Sequence, residues 1–135
     1  GKRGNWVAVR RELITTQTDV EQAMTALRDQ KMAHLISLGG WLRGLEIASS
    51  AVESKYSPDR AAALWQLDLI NYFGEEMKTL PPPVAQTPLF EKLRSGIASI
   101  RTLLNNAPPD SLSLADVKTL HIQARELNLA IVAGR

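Results

Sequence analysis

The 135-residue chain contains no cysteine and only two histidines, His34 and His121. The lack of cysteine excludes disulfides, thiolate metal ligands, cysteine nucleophiles and covalent haem attachment. Neither histidine belongs to a Glu-x-x-His pair or a His-Glu-x-x-His run, so the motifs of the di-iron bundles and the zinc proteases are missing. No Gly-x-Ser-x-Gly elbow is present. We therefore predict a non-enzymatic protein with no catalytic residue, no metal site and no cofactor.

One metal-binding alternative stays open on spacing alone, a haem held by methionine and histidine on different helices. Met24 or Met32 could supply the sulfur ligand and His121 the nitrogen ligand. Methionine is also the usual filler of irregular gaps in a helical core. We favour that second role for both methionines.

An excess of charge of one sign is also missing. The formal net charge is +2. Residues 1–12 hold four bases and one acid, so the rest of the chain is nearly neutral with mixed signs. Nucleic-acid binding needs clustered basic side chains, and we predict no nucleic-acid partner. The basic start could touch anionic lipid, but a solvated tail over residues 1–4 is the preferred interpretation.

Long apolar runs are missing too. The most apolar stretch, residues 32–52, contains His34, Arg43 and Glu46, which makes it too polar for a membrane span. The chain starts at Gly1 and not at methionine, which suggests that a signal peptide, membrane anchor or further domain has been cut away. We expect an exported or periplasmic bacterial protein, with an N-terminal membrane tether as one option.

The chain does contain clear signals for where helices begin. Ser57-Pro58 and Thr87-Pro88 each combine an N-cap residue with a proline in the first turn, and Ser113 caps a third helix. The segments between them carry apolar residues at helical spacing, and no stretch alternates as a strand would. The predicted helices cover 58–79, 88–106 and 114–132, joined by proline-rich connections at 81–87 and 107–113.

The first 56 residues are harder to divide. Thr15-Thr16-Gln17-Thr18 is poor helix material, and Thr18 with Glu21 fits a capping box. We predict a short helix near 5–15 and a long one near 18–55, with further candidate breaks at Arg28–Lys31 and Gly39-Gly40. The fold class is a single all-α domain over residues 1–135, an antiparallel four-helix bundle with an additional short N-terminal helix.

Three glycines occur in the stretch HLISLGGWLRGLE, His34 to Glu46. A phosphate loop is excluded because no Gly-Lys-Ser/Thr follows a strand. Gly40 and Gly44 have the Gly-x-x-x-Gly spacing that lets helices approach closely. A left-handed turn at Gly39 is the alternative. We favour an unbroken helix with another helix packed on the glycine row, because the apolar pattern keeps its phase across it.

Five polar or aromatic residues are candidates for ligand binding. Gln66 and Glu76 interrupt the apolar face of the helix over 58–79, and a buried glutamate needs a partner. Arg43 could supply that partner, and it could also pair with Glu46 at the surface. His34 lies on the seam of the long helix. Trp41 could frame a cavity, although a core position is the usual one for an aromatic residue in a bundle.

Two functions follow from these features. The first is a non-enzymatic helical interaction or scaffold domain with an unidentified protein partner. The alternative is a small-molecule-binding bundle whose pocket lies near the Gly40/Gly44 row, with His34, Trp41, Arg43, Gln66 and Glu76 around it.

Overall fold

The computed structural model describes residues 2–108 and 111–135, and every regular element within them is a helix. The prediction of an all-α fold is confirmed. The helices starting at 88 and 114 lie where the sequence placed them. The elements in chain order are α1 (Lys2–Ser54), α2 (Pro58–Ala62), α3 (Leu67–Lys78), α4 (Pro82–Ala85), α5 (Pro88–Asn106) and α6 (Leu114–Ala133).

Helix α1 runs without a break from Lys2 to Ser54, so the separate helix predicted over 5–15 is wrong. The tail predicted over 1–4 is helical from residue 2, and Gly1 lies outside the described residues. The Thr15 hydroxyl donates to the Arg11 carbonyl, and that of Thr18 to the Ile14 carbonyl, both at 3.0 Å. These bonds stay within the helix instead of capping a new one, so the predicted capping box is also wrong.

The helix predicted over 58–79 is divided into α2 and α3, with a tight turn between them. No glycine or proline marks this turn in the sequence. The indole N–H of Trp65 donates to the carbonyls of Leu104 and Ala107 at 3.0 and 3.1 Å. The Gln66 side chain meanwhile accepts a bond from Trp41. These long-range bonds hold the turn where local propensity favours continuous helix.

The predicted N-caps are confirmed. Ser57 accepts from the backbone N–H of Arg60, and Thr87 begins α5 in the same way. At Ser113 the bonding is reciprocal, since the Ser113 hydroxyl accepts from the Asp116 N–H at 3.1 Å and the Asp116 carboxylate accepts from the Ser113 N–H at 3.0 Å. Each cap of this type contributes about 1 kcal/mol to helix stability. The connection predicted over 81–87 contains the short helix α4.

The second half of α1 runs antiparallel to α6. The Asn128 amide donates to the Leu42 carbonyl at 3.1 Å, and His121 contacts Glu53 at 2.8 Å further along. Helix α5 packs against α3 and α6. The indole ring of Trp41 stacks on Phe73 with centroids 5.3 Å apart, which joins α1 to α3.

The core lies between these four helices and is apolar. The hydroxyl of the fully buried Ser49 donates a hydrogen bond to the Leu45 carbonyl of its own helix at 2.7 Å. The largest buried apolar side chains, each less than 2 % exposed, are Phe90, Leu38, Leu42, Ile70, Leu93, Ile100, Leu104, Leu112, Leu120 and Val117.

Helix continues through Gly39–Gly44, as predicted, but the glycine row is not a packing surface. Apart from the adjacent residues and the backbone of α1 itself, no described atom comes within 4 Å of where a Cβ would stand at Gly40 or Gly44. At Gly39 the nearest is the Ile131 Cδ1 at 3.8 Å. The close approach is at Gly96 in α5, where a Cβ would stand 2.7 Å from Leu127 Cδ1 and 3.0 Å from its Cγ. The predicted contact over Gly40 and Gly44 is therefore wrong.

We expect Gly96→Ala to be less stable than Gly44→Ala. Alanine at position 96 must displace the Leu127 side chain, and this overpacking costs about 1 to 3 kcal/mol, which offsets the gain in helix propensity. Alanine at the exposed position 44 gains about 1 kcal/mol of helix propensity. Urea denaturation of both variants measures the difference. A Gly96→Ala protein as stable as Gly44→Ala would contradict this account of the α5–α6 approach.

Among the helices of the described ranges, none combines the length and apolarity needed to cross a bilayer.

Candidate functional site

The first part of α1 projects from the rest of the protein. Residues 4–26 are all exposed, and the first partly buried side chain after them is Leu27. This projecting segment, residues 4–26, is named the arm. At about 1.5 Å per residue the arm is ~35 Å long. It therefore offers a helix surface comparable in length with a whole helix of the folded body.

The arm is amphipathic. One face carries large apolar side chains within about 60° of arc at 3.6 residues per turn. Trp6 is 67 % exposed and Leu13 is 64 % exposed. The opposite face includes Arg11, Thr15 and Gln22, and the exposed Val7 and Ile14 lie at its edge. The apolar face, named the arm stripe, consists of Trp6, Val9, Leu13, Val20 and Met24.

The arm stripe continues the buried face of α1. At helical spacing, Leu27, Leu38 and Leu42 follow the stripe along one side of the helix. Leu38 and Leu42 are fully buried against the body, whereas the residues of the arm stripe are exposed to solvent. The same helix face is thus covered at one end and open at the other.

Local propensity gives the arm little support as a free helix. It contains several β-branched residues and a threonine-rich centre, which are mediocre helix formers. Helices in proteins owe most of their stability to packing of an amphipathic face. A second surface packed on the arm stripe would supply that stabilisation.

A separate cleft lies between α1 and α3. It has a volume of about 230 Å³ and is half enclosed. His34 and Glu76 face each other across it, and two aromatic residues, Tyr72 and Phe73, line its side. The remaining lining residues are Gln30, Ala33, Ser37, Thr79 and Leu80.

His34 has an unusual environment. Its ring lies 5.7 Å from that of Phe90, centroid to centroid. Its Nε2 atom is buried and has no hydrogen-bond partner within the described residues. Burial lowers the pKa of His34 from its ordinary value of 6.5, and the Glu76 carboxylate opposes this shift more weakly. At neutral pH the imidazole is therefore uncharged.

Trp41 and Gln66, both predicted as ligand-binding residues, bind each other. The indole N–H of Trp41 donates to Gln66 Oε1 at 2.9 Å. The bond uses the indole donor, and Phe73 covers the ring. The pair connects α1 to the start of α3.

Arg43 lies away from Glu76. It lines a second, shallower groove of about 290 Å³ beside Gly39, Gly40 and Ile131, on the α6 side of α1. Glu46, the surface partner predicted for Arg43, instead accepts the amide of Asn128 at 2.9 Å. The five predicted ligand-binding residues are thus distributed over both sides of α1 and do not form one pocket.

The methionine–histidine haem pairing does not fit the geometry. His121 lies level with Glu53, about 30 Å along α1 from Met32 at the rise of an α-helix. The core role favoured for the methionines is wrong as well, because Met24 and Met32 are exposed. Within the described ranges, no group of three or more His, Cys, Asp or Glu side chains is placed to hold a metal ion.

The length of the helix predicted over 18–55 indicates that it either overhangs its neighbours or breaks, and the structure has the overhang. The sequence did not show that the apolar residues on the overhang, including Val20 and Met24, are uncovered. The periodicity of a buried face and that of an uncovered one are the same. The number of residues was the better signal, since a helix over 18–55 exceeds the length of the helices available to cover it.

The His34 environment predicts a pH-dependent stability. The folded-state pKa lies below the unfolded value of 6.5, so the unfolded chain binds the extra proton first as pH falls. Acidification through 6.5 therefore destabilises the protein through His34. We expect the thermal midpoint to fall more between pH 7.5 and 5 in the wild type than in His34→Gln. Equal falls in the two proteins would contradict the assignment, since His121 is common to both.

Comparisons with protein-family models, with curated proteins and with solved structures find no match to the chain.

Proposed function

We propose that the protein is a non-enzymatic helical interaction domain whose arm docks on an apolar helix surface of a protein partner. The observation that carries this proposal is the arm stripe, an apolar helix face that continues the core-forming face of α1 beyond the body. Exposed apolar patches of this extent mark interaction sites. Recognition of a helix by a helix uses side chains at this spacing.

We also propose that the body which holds the arm is an antiparallel four-helix bundle of α1, α3, α5 and α6. The Asn128 and His121 contacts set α6 antiparallel to α1. Trp41 meets Gln66 at the start of α3, and His34 faces Glu76 near its end, so α3 also runs against α1. The bundle supplies the anchor from which the arm extends.

The positions of the two histidines are consistent with the proposed non-enzymatic role. His121 contacts Glu53 at 2.8 Å in the α1–α6 contact. His34 is partly buried against Phe90. Both histidines lie at contacts between helices.

A photo-crosslinking experiment in cells that naturally make the protein tests the docking role. A benzophenone amino acid replaces Leu13 on the arm stripe or, as the matched control, Gln22 on the polar face. We expect an adduct from position 13, none from position 22, and loss of the adduct when Val20→Lys is added. Crosslinks from both faces, or from neither, would overturn the proposal.

A second candidate function is binding of a small polar molecule in the cleft between α1 and α3. The observation in its favour is the buried Nε2 of His34, which lacks a partner within the described residues and lies at a cleft that also holds a carboxylate. Ethanolamine is a suitable probe, because its hydroxyl can bond to His34 and its ammonium to Glu76. A shift of the His34 ring resonance that is lost in Glu76→Gln would support this function, and no shift at millimolar probe would reject it for this ligand class.

A further inference from the structure

A cleft between α3 and α5 has a positively charged rim. Its volume is about 390 Å³, within the range of roughly 300 to 1,000 Å³ that is usual for small-molecule sites. Arg94 and Arg101 line the cleft from α5, and Lys78 lines it from α3. Glu75 lines it as well and forms an ion pair with Lys78 at 3.0 Å. With three bases and one acid around it, the cleft favours an anion.

The two arginines lie on one face of α5. They are seven residues apart in the chain, which places them about 20° apart around the helix and about 10 Å apart along its axis. Among the described residues, neither guanidinium forms an ion pair with a carboxylate. The cleft therefore presents two separated guanidinium groups to an anion that does not belong to the described chain.

The surface between the two arginines is apolar. Met77 and Ile97 are buried side chains that line the cleft, and Ala98 lies beside them. At Gly74 the wall of the cleft has no side chain. Apart from the adjacent residues and the backbone of α3 itself, no described atom comes within 4 Å of where its Cβ would stand. An aliphatic segment placed on this surface would be removed from water, which favours binding.

We propose that the cleft between α3 and α5 binds a linear organic dianion of the aliphatic dicarboxylate class. One carboxylate binds Arg94, the other binds Arg101, and the methylene chain between them packs on Met77 and Ile97. Arginine can bind a carboxylate through two parallel hydrogen bonds, which gives each end of the ligand a defined position. This site is separate from the arm and adds a ligand to the proposed docking role.

The neighbouring clefts fit this class of ligand less well. The cleft between α1 and α3 is lined by the carboxylate of Glu76, which repels an anion. The groove between α5 and α6 is lined by two acids and two bases, so it has no excess of positive charge. A dicarboxylate should therefore select the cleft between α3 and α5.

Titration of the full chain with octanedioate at constant ionic strength, followed by amide NMR shifts, tests the site. We expect saturable shifts in α3 and α5, weaker binding of octanoate, and no binding of octanediol, the uncharged molecule of the same chain length. Arg94→Gln and Arg101→Gln should each weaken octanedioate binding about fivefold, the effect of losing a well-placed exposed ion pair. The matched control is Arg125→Gln, an exposed arginine of α6 outside the cleft, which should bind as the wild type does.

A second pair of variants tests the space in the cleft. Leucine at position 74 would occupy the cleft, and it is a better helix former than glycine. Gly74→Leu should therefore fold and lose octanedioate binding. Gly44→Leu, the same change at an exposed glycine of α1, should keep it.

Five results would overturn the dicarboxylate inference. They are no saturable shift at millimolar octanedioate, equal binding of octanediol, equal binding of inorganic sulfate, unchanged affinity in either cleft arginine variant, and full binding by Gly74→Leu. Equal binding of sulfate would mean an adventitious ion only. None of these results bears on the docking role of the arm, which is tested separately by the crosslink from position 13.

Discussion

Leu38→Ala should lower the free energy of unfolding by about 2 to 5 kcal/mol, the range for removing a leucine side chain from a packed core. Leu38 is completely buried in the body, where α1 meets the other helices. Its loss leaves a cavity that rigid neighbouring helices fill only in part. Native-state hydrogen exchange of α5 and α6 amides measures the change, because those amides report opening of the body alone.

The matched control is Leu13→Ala, the same substitution on the same face of α1. Leu13 is 64 % exposed in the arm, so its truncation should change protection of the α5 and α6 amides by less than about 0.5 kcal/mol. Comparable losses in the two variants would mean that the arm folds back onto the body, contrary to the structure.

Phe90→Ala should cost about 3 to 5 kcal/mol, a large fraction of the roughly 5 to 15 kcal/mol by which native domains are stable. Phe90 is 1 % exposed, and its ring neighbours that of His34. Removing it therefore also opens the environment that desolvates the imidazole. We expect the pKa of His34 to rise back towards its ordinary value in the variant.

Phe90→Leu keeps most of the apolar volume and provides a folded variant if Phe90→Ala does not fold. Its unfolding is followed in urea, and the His34 ring is titrated by NMR. A stability loss with an unchanged His34 titration would show that Phe90 does not contribute to desolvation of His34. A Phe90→Ala protein as stable as the wild type would contradict the core assignment itself.

The sequence predicted the helices whose ends carry local chemistry. Ser57, Thr87 and Ser113 are caps that act within one turn, so their signals are complete in the sequence. The division between α2 and α3 was not predictable in this way. It depends on Trp65 reaching carbonyls some forty residues further along the chain.

The candidate site was predicted only in part. His34 and Glu76 line the same cleft because of how α1 and α3 pack on each other, which no spacing in the sequence specifies. The prediction that a helix packs on Gly40 and Gly44 was wrong for a related reason. Gly-x-x-x-Gly states that a close approach is sterically allowed, and the structure places that approach at Gly96 instead.

The continuity of α1 joins the arm to the cleft. No described break separates the arm from the part of α1 that carries His34 and, further on, Glu53. A partner that packs on the arm stripe would therefore stabilise the same helix that forms one wall of the cleft between α1 and α3.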